Sequence, residues 1–171
     1  MLAGKLRELL KGARRVAVIG VGSRFRGDDA LGLEVARRLK GAGLRGVLVV
    51  EAETVPENFT GELRRFHPSH VLLVDAAHFG GKPGDVVVAS GSSSMRGVSF
   101  STHHMPLSMF ARFVEASIGS TVVLVGVQPG SLHGEGLSPE VEDAVSILTK
   151  ILSEVLSELP GLEAVSEIGE N

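Results

Sequence analysis

The sequence predicts a three-layer α/β/α domain built on a mostly parallel sheet, and three observations carry that expectation. The strand candidates at 16–19, 47–50 and 121–127 are nearly continuous apolar runs, not alternating ones. Such runs suit parallel strands that are buried on both faces. Segments with apolar residues at helical spacing lie between them, which is the strand–helix alternation of α/β folds. A length of 171 residues, 43% hydrophobic and 22% charged, fits one domain with a full core, 1–171.

The elements follow in order. Residues 1–12, MLAGKLRELLKG, place Leu2, Leu6, Leu9 and Leu10 among basic side chains and read as an amphipathic helical extension packed on the domain. They lack the apolar core and cleavage site of a signal peptide. A first strand at 15–19 stops at Gly20-Val21-Gly22. Asp28 and Asp29 then open a helix of about 28–40, where carboxylates suit the free N–H groups and the dipole. Gly41-Ala42-Gly43 stops that helix, and a second strand at 47–50 ends at Glu51. Pro56 opens the next helix, with Glu57 and Glu62 on it and Arg64 and Arg65 near its end.

A third strand, 70–74, ends in Asp75. A glycine-rich turn at 80–84 leads to a fourth strand at 85–89, and 90–102 reads as loop. A helix of about 106–116, a fifth strand at 121–127 and a loop at 130–136 follow. Ser138 caps the last helix and Pro139 takes its first position. Val141, Val145, Leu148, Ile151, Leu152 and Val155 form its apolar stripe. Pro160-Gly161 ends it, and 161–171 reads as a loose tail.

Composition narrows the chemistry. A formal charge of -3 gives no reason to expect nucleic acid. Without cysteine there are no disulfides, thiolate metal sites or cysteine nucleophiles, so any metal must use His, Asp or Glu. No apolar run approaches the ~20 residues of a membrane span. The expected location is the cytoplasm.

The C-terminal ends of parallel strands lie along one edge, where open α/β sheets bind ligands. Asp28 or Asp29, Glu51 and Asp75 all fall there. One acid at a strand end suits a cap or turn; three on one edge suggest a shared site. Ser101-Thr102-His103-His104 precedes a helix and offers imidazole as a ligand or general base. Carboxylates with histidine can hold a divalent ion such as Zn or Ni, or can form a general-base arrangement; the residues leave both open. A nucleotide reading of Gly20-Val21-Gly22 fares worse: GVGSRFRGDD has neither Walker nor GxGxxG spacing, and its aspartates would repel phosphate. Arg24 and Arg26 are either solvated or face an acidic partner. His67, His70, His78 and His133 lack patterned partners and read as solvated or structural.

The motifs GVGSRFRGDDALG, TVPENFTGELRRF, LLVDAAHFGGKPG, STHHMPL and GVQPGSL occur in the order and at the spacing of a known family, across about 15–150. In these the chain resembles the hydrogenase maturation endopeptidases, most closely the type that processes large subunits of hydrogenase 3-like nickel–iron enzymes. Ser23 stands where many members have Asn, and Ala30 where many have Gly. The resemblance implies a twisted five-stranded sheet and an aspartyl-type endopeptidase. Its substrate would be the hydrogenase large-subunit precursor, which loses a C-terminal extension after nickel insertion.

The resemblance further implies a metal-binding trio of Asp29, Asp75 and His103, the last because it follows Ser101-Thr102. The trio senses nickel carried by the precursor, though Zn or Cd can occupy it, and no organic cofactor is implied. Asp29 and Asp75 are the catalytic candidates. Gly22, Ser23, Asp28, Glu57, Asn58 and His104 are the candidate substrate-binding residues, with Asp28 also a candidate helix cap or support behind Asp29. The expected working form is a monomer. The alternative function is a non-catalytic nickel-checking module in hydrogenase assembly.

Overall fold

The computed structural model describes residues 1–95, 97–100 and 105–163. A short helix, α1 (Leu2–Leu9), leads into β1 (Val16–Val21), α2 (Leu31–Gly41), β2 (Val47–Glu53), α3 (Thr60–Phe66) and β3 (His70–His78). Then come β4 (Val86–Ser90), β5 (Ser99–Phe100), α4 (Leu107–Ser117), β6 (Thr121–Val127) and α5 (Pro139–Glu158). The main sheet has the order β2-β1-β3-β6-β4, with β4 antiparallel to β6 and the other neighbours parallel. The expected mostly parallel five-stranded sheet is therefore present, and β5 adds a short antiparallel pair to the end of β3.

Strand alternation divides the interior into two cores. Val16 and Val18 of β1, with Leu72 and Val74 of β3, face α1, α2 and α5. Ala17 and Ile19, with Val71 and Leu73, face α3 and α4. Apolar residues at every strand position are what a sheet covered on both sides requires. Leu6 and Leu10 are fully buried, so the N-terminal extension forms part of the first core. Truncating a buried leucine such as Leu148 to alanine costs about 3 kcal/mol in lost burial and cavity formation.

Several boundaries differ from the sequence expectation. The helix expected from Asp28 begins at Leu31, because Gly27–Ala30 form a 3-10 turn, and neither aspartate caps it. Pro56–Phe59 is likewise a 3-10 turn ahead of α3. β3 does not end at Asp75: β6 pairs with it through Ala76, and β5 pairs with Ala77 and His78. The stretch expected as loop at 90–102 contains a 3-10 turn, Ser92–Met95, as well as β5. Residues 161–163 are not loose, since the Glu163 N–H donates to Arg14 O at 2.9 Å and Arg15 pairs with the Glu163 carboxylate at 3.3 Å.

The order of the parallel strands creates a switch point. The chain leaves β1 through α2 toward β2 on one side, then returns to place β3 on the other side of β1. Connections at the carboxyl ends of β1 and β3 thus diverge, which opens a crevice between them.

Candidate active site

Asp29 and Asp75 lie on neighbouring segments at this switch point. Asp29 follows β1 in the 3-10 turn, and Asp75 lies on the neighbouring strand one residue past the Gly20–Val74 register pair. Both are fully buried. The backbone shaping of this spot depends on two glycines. Gly22 has φ of 149°, and a Cβ there would lie 1.9 Å from Asp29 O. Gly32, at the start of α2, would bring a Cβ within 2.3 Å of Val74 O and 2.4 Å of Val21 O. Only residues without a side chain let the helix start settle into the notch between β1 and β3.

The Asp29 carboxylate takes part in holding the glycine loop. Ser23 N–H donates to Asp29 Oδ2 at 3.0 Å, and the Arg26 guanidinium stands 4.0 Å from the same oxygen. Asp75 Oδ1 accepts the N–H of Ala76 at 2.8 Å, while its Oδ2 is buried without a hydrogen-bond partner among the described residues. Burial, reinforced by the nearby Asp29 charge, pushes the Asp75 carboxyl well above the usual carboxylate range, against the opposing Ala76 hydrogen bond. An aspartate buried beside a second aspartate favours its protonated form, or a cation that neutralises the pair. This donor chemistry suits a divalent ion presented from the crevice. Among the described residues, no three His, Asp or Glu side chains gather as a metal-holding group.

The other predicted residues divide clearly. Gly22 and Ser23 form the Asp29 loop, and Gly22 N–H donates to Glu53 O at 2.8 Å. That bond ties the loop to the segment leading into the Pro56–Phe59 turn, which carries Glu57 and Asn58. Glu57 is half-buried, with Oε2 lacking a hydrogen-bond partner among the described residues, and Asn58 is exposed. His103 and His104 lie outside the described residues. Glu51 is not brought to the crevice: it sits on the outer strand β2, 3.9 Å from Lys40.

Asp28 turns away to the loop after β6. Its carboxylate accepts from Gly130 N at 2.7 Å, Ser131 N at 2.9 Å, Ser138 N at 2.7 Å and Ser138 Oγ at 2.7 Å. Ser138 sits at the N-cap position of α5, but its hydroxyl serves Asp28 and makes no cap bond. A second organiser was missed as a site residue. Gln128, just past β6, accepts from Phe79 N at 3.0 Å and Gly81 N at 3.2 Å, holding the loop that follows β3. The signal was present in GVQPGSL at a strand end, but which backbone groups it serves depends on the folded chain.

Fold and site together define an α/β protein with paired buried carboxylates at a topological switch point. The family model for hydrogenase maturation protease matches residues 33–155. The crystal structure of the hydrogenase maturation protease HycI from Thermococcus kodakarensis KOD1 superimposes with a TM-score of 0.82 at 34% identity, covering 90% of this chain and 99% of that one. The solution structure of the endopeptidase HycI from Escherichia coli gives a TM-score of 0.68 at 25% identity, over 88% and 96% of the two chains. The hydrogenase 3 maturation protease of Escherichia coli K12 is 29% identical over 109 residues, 64% of this chain and 69% of that protein. The chain belongs to the hydrogenase maturation protease family.

Proposed function

We propose that the protein removes the C-terminal extension of a nickel–iron hydrogenase large-subunit precursor once nickel is in place. One observation carries this reading: two fully buried carboxylates, Asp29 and Asp75, flank the switch point of a maturation-protease fold. In the free protein, burial and the neighbouring Asp29 push the Asp75 carboxyl up and so favour its protonated form. A divalent cation arriving at the pair displaces that proton, because metal ligands must be deprotonated. Imidazole and carboxylate donors suit nickel, and His103 supplies the third donor; Zn or Cd can take the same place. The metal is the precursor's cargo, so the site engages only a precursor that has been loaded. No organic cofactor takes part.

With nickel held, the scissile carbonyl lies beside the two carboxylates. A water gives its proton to Asp29 or Asp75, and the oxygen adds to the carbonyl carbon, with the nickel available as Lewis acid. The same carboxyl group then protonates the departing amine, so water is consumed and two chain ends result. Gly22, Ser23, Glu57 and Asn58 border the path of the peptide, His104 is assigned to substrate binding with them on the sequence alone, and Asp28 acts through the 130–138 loop. The protein works as a monomer in the cytoplasm. Among its described residues no helix is long and apolar enough to cross a membrane.

The test is to incubate the protein with nickel-loaded and nickel-free precursor and weigh the products. Shortening of the loaded form alone is expected, and Asp29→Asn should abolish it without unfolding the protein. Equal cleavage of both forms contradicts nickel sensing. Cleavage of neither contradicts the proteolytic reading and favours a nickel-checking module.

A further inference from the structure

We propose that Phe25, set between Arg24 and Arg26, is the anchor by which the folded precursor docks on the protein; this rests on the precursor-processing reading above. Phe25 is 77% exposed, although it belongs to the loop that carries Asp29. The loop is pinned at both ends. Ser23 N–H is held by the Asp29 carboxylate at 3.0 Å, and Phe25 N–H reaches Ser23 Oγ at 3.4 Å. Gly27 N–H donates to Gly134 O at 2.8 Å, and Asp29 N–H to Arg26 O at 3.0 Å. A phenyl ring on a stretch held this way is presented to a partner with little ordering cost on binding.

The other exposed large apolar side chains differ in setting. Phe113 lies under the Arg64 guanidinium, 5.6 Å from its ring centroid, Met109 stands on α4, Ile147 on α5, and Met1 precedes α1. Phe25 alone of these is on the Asp29 loop, four residues from that carboxylate, so it is the exposed apolar side chain nearest in the chain to the proposed cleavage site. Aromatic and arginine side chains are the residue types that carry most binding energy at protein interfaces. Arg24 and Arg26 are each about half-exposed, Arg24 in a solvated pair with Glu53 at 3.1 Å. They flank Phe25 in the sequence and put two half-exposed cations on the same loop as the ring. The matching partner surface is an apolar pocket rimmed by carboxylates.

The occupant is the folded precursor and not a second copy of this chain. A dimer formed through Phe25 would cover the Asp29 loop of both copies and block the crevice. A single ring between two arginines is also too small an apolar contact for a stable membrane anchor.

The experiment is steady-state processing of nickel-loaded precursor by the wild type, Phe25→Ala, Phe25→Leu and Ile147→Ala, with thermal melts of each. Phe25→Ala should raise KM about 10-fold or more, with kcat changed by no more than about threefold and an unchanged melt. Phe25→Leu should fall between, and Ile147→Ala should keep the wild-type KM. An unchanged KM for Phe25→Ala, with the wild type active, overturns the anchor alone. A wild type that cleaves nothing overturns the processing reading and the anchor with it. A wild-type dimer that Phe25→Ala dissolves also overturns the anchor, by assigning the loop to self-association.

Discussion

Asp28 and Ser138, 110 residues apart, are joined twice: the Ser138 N–H donates to Oδ1 at 2.7 Å and its hydroxyl to Oδ2 at 2.7 Å. Gly130 and Ser131 N–H complete the set on Oδ2. One buried carboxylate therefore fixes the loop after β6 and the entry to α5 against the turn that presents Asp29. The adjacent aspartates divide their labour: Asp28 organises the rim of the crevice from below, and Asp29 faces it with Asp75.

Asp28→Asn should destabilise the protein by about 2–4 kcal/mol, because its amide sets N–H groups against buried N–H donors. Burial alone would raise this carboxyl, but the hydrogen bonds from Ser131, Ser138 and Gly130 outweigh it and hold it below the usual carboxylate range. A carboxyl lowered in the fold contributes stability that is present above about pH 4 and lost as pH falls through its folded value. Denaturant unfolding from pH 3 to 7 should show that acid loss in the wild type and a smaller one in Asp28→Asn.

Asp75→Asn should behave oppositely. The Asp75 carboxyl is raised by burial and by Asp29, so the folded protein binds its proton more tightly than the unfolded chain. That contribution is full below about pH 4 and declines as pH rises toward the folded value. Asparagine mimics the protonated acid. The variant should be at least as stable as the wild type at pH 7, show a flatter stability profile above pH 4, and fail to process precursor. A large fall in its melting temperature would argue that Asp75 is ionised in the free protein.

Gly22→Ala should cost about 2–4 kcal/mol and misplace Asp29, since its φ is 149° and the new Cβ would meet Asp29 O at 1.9 Å. Thermal melts read the first effect and precursor processing the second. Alanine at Gly4, where a Cβ meets nothing within 4 Å, is the control that should leave both intact.

His70 supplies a separate acid sensitivity away from the crevice. Burial lowers its imidazole pKa, and Nδ1 lies 3.0 Å from Ser69 Oγ. The neutral ring's contribution is full above the unfolded value of about 6.5 and is lost as pH falls from there toward the folded value. His70→Gln should flatten the unfolding free energy between about pH 6.5 and 5 relative to the wild type.

Much of this protein is legible in its sequence. Unbroken apolar runs at the strands and helical spacing between them determine the layered sheet, because a strand covered on both faces has no polar position to spare. The acids at the carboxyl ends of β1 and β3 and the ordered motifs from GVGSRFRGDDALG to GVQPGSL determine the candidate site and the family. What the tertiary structure alone decided is how those residues are used. Local spacing made Asp28 a helix cap, yet its partners lie more than 100 residues ahead, and no local pattern encodes such contacts. Glu51 shares the edge with Asp75 in sequence, but strand order carries it outward and puts Asp29 beside Asp75. The raised Asp75 carboxyl follows from the same juxtaposition. Proton affinity depends on burial and on neighbouring charge, and both come into being only when β1 and β3 pair.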